Sequence, residues 1–231
     1  MKPLIFSLFL TAVLSSGIAQ DLNYSVHGKY ANPITREKLE NARSMSDIIP
    51  YYPSSWIDSY KSVEMILISD GNQVSTASAD DILSDEQIKM LHAMDYGDEI
   101  VINIGYQYKN NLTNQVENGA MHYSTTLVPE TEAQYSGGNE QLSNYIQRNA
   151  LDKITGDASQ ELEYTVVRFV VSEKGEISKA AISKTSGNSV IDNLLLEVVK
   201  AMPPWQPASD DLGGKVNQEF ELSVWYGSDG C

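Results

Sequence analysis

The side chains in this sequence that can do acid–base, nucleophilic or metal chemistry are three histidines, one cysteine and an excess of carboxylates. His27, His92 and His122 stand far apart, and none belongs to a run of ligand types at metal-site spacing. The acids show no EF-hand order, so calcium is not indicated. There is no Gly-x-Ser-x-Gly elbow and no phosphate-cradling glycine loop. Gly137 and Gly138 precede a helical segment, but in a chain of net charge -15 that is a poor anion signal. Cys231 is the last residue and the only cysteine, so it closes no internal disulfide. Its sequence position leaves open both a bond to another molecule and an inert terminus. The reading is of a non-enzyme, with no catalytic, cofactor-binding or metal residue. The same acidity repels phosphate backbones, and no Lys/Arg cluster offsets it, so nucleic acid is not an expected partner. No small-molecule substrate is expected either.

What remains is recognition through the backbone. Near the C-terminus Val216, Phe220, Leu222 and Val224 fall on one side of an extended segment, and Asn217, Glu219, Glu221 and Ser223 on the other. Trp225 and Tyr226 follow. A strand with one dry and one wet face belongs to an antiparallel sheet covered by helices on one side. If this strand lies at the sheet edge, its unpaired N–H and C=O groups can recruit a guest strand. About five such hydrogen bonds contribute ~0.5–1.5 kcal/mol each, while ordering the guest costs ~1–2 kcal/mol per residue. Side chains must therefore supply the affinity. The candidate partner-binding residues are Asn217, Glu219, Glu221, Ser223, Trp225 and Tyr226, and the expected partner is a protein or peptide strand. Pairing of two such edges into a homodimer remains open, and packing roles for Trp225 and Tyr226 are equally consistent with the pattern.

The elements that must position this strand are legible around it. Residues 139–149 read as a helix with Leu142, Tyr145 and Ile146 inward. Segments 162–171 and 177–183 form a hairpin across "SEKGE", with Gly175 free to take positive φ. Ser189 can cap a second helix, with Asp192 at the favourable end of its dipole. That helix carries Ile191, Leu194, Leu195, Val198 and Met202 on one stripe, the strongest periodic signal in the chain. "MPPWQP" then ends it: Pro203 and Pro204 lack the N–H of a further turn, and residues before proline extend. Trp205 is expected to cover the end of the helix–sheet core.

Upstream, residues 35–49 read as a short helix with a thin apolar face. Segments 63–68 and 73–77 read as strands around "DGN", and "SDEQIKMLHAM" as a helix with a Ser84/Gln87 capping box. Two more strands, 99–108 and 120–128, flank a long polar loop. The stretch "VPETEAQYSGG" reads as a boundary. Residues 1–19 have the basic start, apolar run and small residues of a cleavable signal peptide. An uncleaved inner-membrane anchor is the alternative. The expected organisation is a signal peptide at 1–19, a β-rich α+β domain at 20–130 and a second domain at 131–231. The fold class is α+β, the C-terminal domain running α-β-β-α-β with a small antiparallel sheet covered by helices on one face.

This order, with "YSGGNEQLSNYI", "VVRFVVSEKGEISKAAISKTSG", "VIDNLLLEVVKAMPPWQPA" and "GGKVNQEFELSVWY", resembles the C-terminal domain of the TonB family over about 134–226. The resemblance implies a periplasmic, non-catalytic module in which a segment of an outer-membrane transporter adds beside the last strand, coupling transport to an inner-membrane motor. The sequence departs from the family in its cleavable-looking N-terminus, in having a folded-looking half where the proline-rich spacer belongs, and in lacking the Tyr-Pro after the first helix. A structural or dimerising periplasmic or secreted subunit is the alternative reading. "SDEQIKMLHAMDYGDEIVINIGY" is faintly similar to β-domains of periplasmic gliding-motor shafts.

Overall fold

The computed structural model describes residues 22–155 and 162–227. The signal-peptide reading of 1–19 and the thiol of Cys231 lie outside the described residues. Two sheets, each with its own apolar core, make up the molecule.

The N-terminal sheet has five strands: β2 (Pro33–Ile34), β3 (Ser59–Ser69), β4 (Asn72–Ser78), β5 (Glu99–Lys109) and β6 (Val116–Leu127). Their spatial order is β2-β6-β5-β3-β4. The alternation Ile100, Ile102, Ile104 on β5 and Val63, Met65 on β3 buries one face completely. Three helices cover that face: α1 (Arg36–Asn41), α2 (Met45–Ile48) and α3 (Asp85–His92). The expected single helix over 35–49 is in fact α1 and α2, parted by extended residues 42–44. The break lets Asp47 close a capping box with Ser44, which a continuous helix would forbid. The box expected on α3 is present: Ser84 Oγ accepts from Gln87 N at 3.3 Å, and Gln87 Oε1 accepts from Ser84 N at 2.9 Å. The long polar loop between β5 and β6 shortens to residues 110–115, because the strands pair as far as Lys109 and Val116.

The C-terminal sheet contains β7 (Thr165–Val171), β8 (Ile177–Lys184) and β11 (Gln218–Tyr226), covered on one face by α4 (Gly138–Asn149) and α5 (Ser189–Lys200). A two-residue ladder, β9 (Ala208–Ser209) with β10 (Lys215–Val216), precedes the final strand. Of the expected α5 stripe Ile191, Leu195 and Val198 are buried, Leu194 is partly buried and Met202 is buried just beyond the helix end, while Val199 joins the buried face. The cap of α5 is Asn188, whose Oδ1 accepts from Val190 N at 2.9 Å, and not Ser189, which is already helical. Trp205 is 5% exposed and lies 5.0 Å from the Phe220 ring and 5.5 Å from Tyr135. The backbone N–H of Trp205 donates to Gly175 O at 2.8 Å, so the proline-flanked stretch is stitched onto the β7–β8 turn.

One element was not foreseen. Residues Leu22–Gly28 form β1, which pairs antiparallel with β11 from Leu22↔Tyr226 to Gly28↔Phe220. The C-terminal sheet therefore has four strands in the order β1-β11-β7-β8. Residues 22–28 belong to this sheet, so the expected span 20–130 does not form one structural unit. The chain crosses between the sheets twice, after β1 and after β6. At the second crossing, residues 131–134 pair in isolated bridges with Ser209 and Gln206.

Candidate functional site

The expected edge strand is an interior strand. β11 has β7 on one side and β1 on the other. The reason is compositional: Leu22, Tyr24 and Val26 alternate with Asn23, Ser25 and His27, so β1 has the same dry and wet faces as the strand it joins. The dry set packs, partly buried, on the core below the sheet. The signal was readable as period-two alternation. It was missed because β1 follows the apolar run at 4–14 and is separated from β11 by nearly the whole chain.

The six expected partner-binding residues are correspondingly occupied. Asn217 Oδ1 accepts from Glu173 N at 3.1 Å, tying β11 to the β7–β8 turn. Glu219 takes Lys29 Nζ at 2.9 Å on one oxygen, with Arg168 Nε 3.5 Å from the other. Glu221 accepts from Arg168 Nε at 3.2 Å and Nη2 at 3.0 Å. Arg168 thus bridges both carboxylates on the helix-free face. These partly exposed pairs contribute little stability each, but they fix the side chains. Ser223 is fully buried although it faces away from the helices, because Tyr164 lies over it and donates to its Oγ at 2.8 Å. Trp225 packs at 6.1 Å against the same Tyr164 ring, whose face receives Lys184 Nζ at 4.8 Å. Only Tyr226, 40% exposed at the end of the strand, stays open. Sequence reasoning missed Lys29, Tyr164, Arg168 and Lys184; their placement depends on strand register.

Among the described residues the edge of the sheet lies one strand outward, at β1. Lys29 N donates to Glu219 O at 2.9 Å, which sets the alternation of the β1–β11 ladder. Asn23, Ser25 and His27 direct their backbone groups to β11; Leu22, Tyr24, Val26 and Gly28 direct theirs away from it. β1 carries no Lys, Arg, Asp, Glu or Pro and pairs without a register shift. The opposite edge, β8, is blunted: its pairing slips twice, it bears two lysines at 179 and 184, and Lys179 sits at φ +51°. The histidines lie on three different elements, His27 on β1, His92 on α3 and His122 on β6. No group of three or more metal-ligating side chains occurs among the described residues.

Among the described residues the half-covered antiparallel sheet ends at β1 on one side, and a strand edge of this kind is able to accept a further strand. Residues 163–227 match the family described as Gram-negative bacterial TonB protein C-terminal. The matched residues hold β7, β8, α5 and β11, so this unit is similar to a TonB C-terminal domain. The match spans somewhat more than a quarter of the chain and leaves out β1, α4 and the five-stranded sheet. Comparison with curated proteins and with solved structures gives no match. No helix among the described residues is long and apolar enough to cross a membrane.

Proposed function

We propose that this protein is a periplasmic, non-catalytic recognition module that binds an extended partner segment along the outer edge of β1. The observation that carries this reading is the occupancy of the β11 edge by the chain's own N-terminal strand. A guest aiming for β11 must expel a strand held covalently beside its site. A tethered strand competes at an effective concentration of ~mM or more, so a guest of equal quality at ~µM is disfavoured by about a thousandfold. The β1 edge needs no such exchange and is uncharged, proline-free and regular. The TonB resemblance makes a segment of an outer-membrane transporter the leading partner, with transport coupling as the physiological role. Pairing of two β1 edges would instead give a dimer.

Locking β1 in place tests the reading. In a Cys231→Ser background, Ser25→Cys with Ser223→Cys places two thiols on directly opposed residues. The oxidised protein is expected to keep its partner, as read by photo-crosslinking from position 24 in cells. Loss of the adduct on oxidation and its return on reduction would mean that the partner replaces β1 on β11. A cross-linked species made of two copies of this chain would identify the dimer.

A further inference from the structure

The five-stranded sheet has an open edge of its own. β4 pairs with β3 from Val63↔Ser78 to Ser69↔Asn72 without a slip, around a two-residue turn in which Asp70 and Gly71 have φ of +46° and +80°. In such a hairpin the pair beside the turn is hydrogen-bonded, and bonded pairs then alternate. Asn72, Val74, Thr76 and Ser78 are therefore turned toward β3, and Gln73, Ser75 and Ala77 hold their N–H and C=O groups outward. These three residues are exposed, as is Val74, which is 59% accessible. None of the usual protections is present: β4 has no lysine, no proline and no bulge.

Charge selects the occupant. From Ser69 to Ile88 the chain contains Asp70, Asp80, Asp81, Asp85 and Glu86, and no Lys or Arg. None of these acids is in a salt bridge among the described residues. Asp70 stands at one end of β4, and Asp80 and Asp81 at the other. A second copy paired antiparallel about Ser75 would set Asp70 opposite Asp80 of its twin at both ends, a like-charge contact that opposes association. A guest with a small or β-branched middle and basic ends meets the opposite arrangement.

We infer that β4 is a second strand-accepting edge, specific for an extended cationic peptide segment and independent of the β1 edge. The full exported chain is titrated, by fluorescence anisotropy, with the labelled peptide Lys-Val-Thr-Val-Thr-Val-Thr-Val-Lys and with its twin ending in Glu. The lysine-ended peptide is expected to bind, more weakly as salt rises, and the glutamate-ended one at least about tenfold less well. Ser75→Pro removes an outward N–H and no bond to β3, so the fold is retained while affinity drops about tenfold. Should that variant unfold, Asp70→Asn with Asp80→Asn decides: asparagine keeps the left-handed turn residue and the Asp80 Oδ1 contact to Ile82 N at 2.9 Å, and affinity and salt dependence should both fall. Equal binding of both peptides, or binding untouched by these substitutions, overturns the proposal. So does a concentration-dependent dimer that Ser75→Pro abolishes, which would make the occupant a second copy.

Discussion

At Gly175 the β7–β8 turn meets the segment that follows α5. The residue has φ +79°, its carbonyl accepts from Trp205 N, and an added Cβ would collide with the Trp205 carbonyl oxygen. Left-handed backbone alone costs a non-glycine residue ~1–2 kcal/mol, and the collision adds to it. Gly175→Ala should therefore destabilise by more than ~2 kcal/mol in a urea melt. Trp205→Ala, which empties the space between Phe169, Phe220 and Tyr135, should cost ~3–5 kcal/mol. A second residue gives the acid limb of stability. Partial burial pushes the Asp192 carboxyl up, but hydrogen bonds from the Ser186 hydroxyl and N–H and from the Thr185 hydroxyl outweigh it, and the net shift is downward. A carboxyl depressed in the folded state stabilises fully above its unfolded value of ~3.9. That contribution fades as pH falls through the lower folded value. Asp192→Asn should lower stability at pH 7 and flatten the loss expected as pH falls below the unfolded value, as measured by urea midpoints across the acid range.

Among the elements, β1 decides the character of the C-terminal sheet. With it, β11 is a central strand and its wet face is a finished ion-pair surface; without it, β11 would be an edge. Ser25→Pro removes an N–H that points at Ser223, in the middle of the ladder. We expect this substitution to free β1 while leaving β7, β8 and the helices folded. Hydrogen exchange is the measure: the amides of Glu219, Glu221, Ser223 and Trp225 should lose protection, whereas those of Phe220, Leu222 and Val224, which face β7, should keep most of theirs. Uniform loss across both sets would show that β1 is integral to the fold and not an added strand.

Two crossings connect the sheets, and backbone and side-chain contacts dock both of them beside the C-terminal sheet. The crossing after β6 docks through the Thr131–Ser209 and Gln134–Gln206 bridges and through Ala133 N, which donates to the buried Gln218 Oε1 at 2.7 Å. The crossing after β1 adds Lys29 with Glu219 and the Tyr30 hydroxyl with Glu132 at 2.8 Å. Gln218→Leu strands a buried N–H, which costs ~1–3 kcal/mol. Because that N–H belongs to the linker, the substitution should also raise proteolytic cleavage near residues 131–134 more than elsewhere.

The sequence by itself determined whatever depends on neighbours along the chain. The α5 stripe, the Ser84 capping box, the glycine turn at 175 and the proline stop before Trp205 are local patterns, and each is where it was expected. Alternation identified the strand at 218–226 and its inward Phe220, Leu222 and Val224, while Val216 lies on β10. Only the tertiary structure decided who stands beside that strand. A strand's faces are encoded in its own side chains, but its edges are backbone, identical in kind for every residue, so no pattern in β11 could say whether its outer edge was free. That choice lay in Leu22, Tyr24 and Val26 at the far end of the chain, and folding them against β11 turned the expected docking edge into an interior strand.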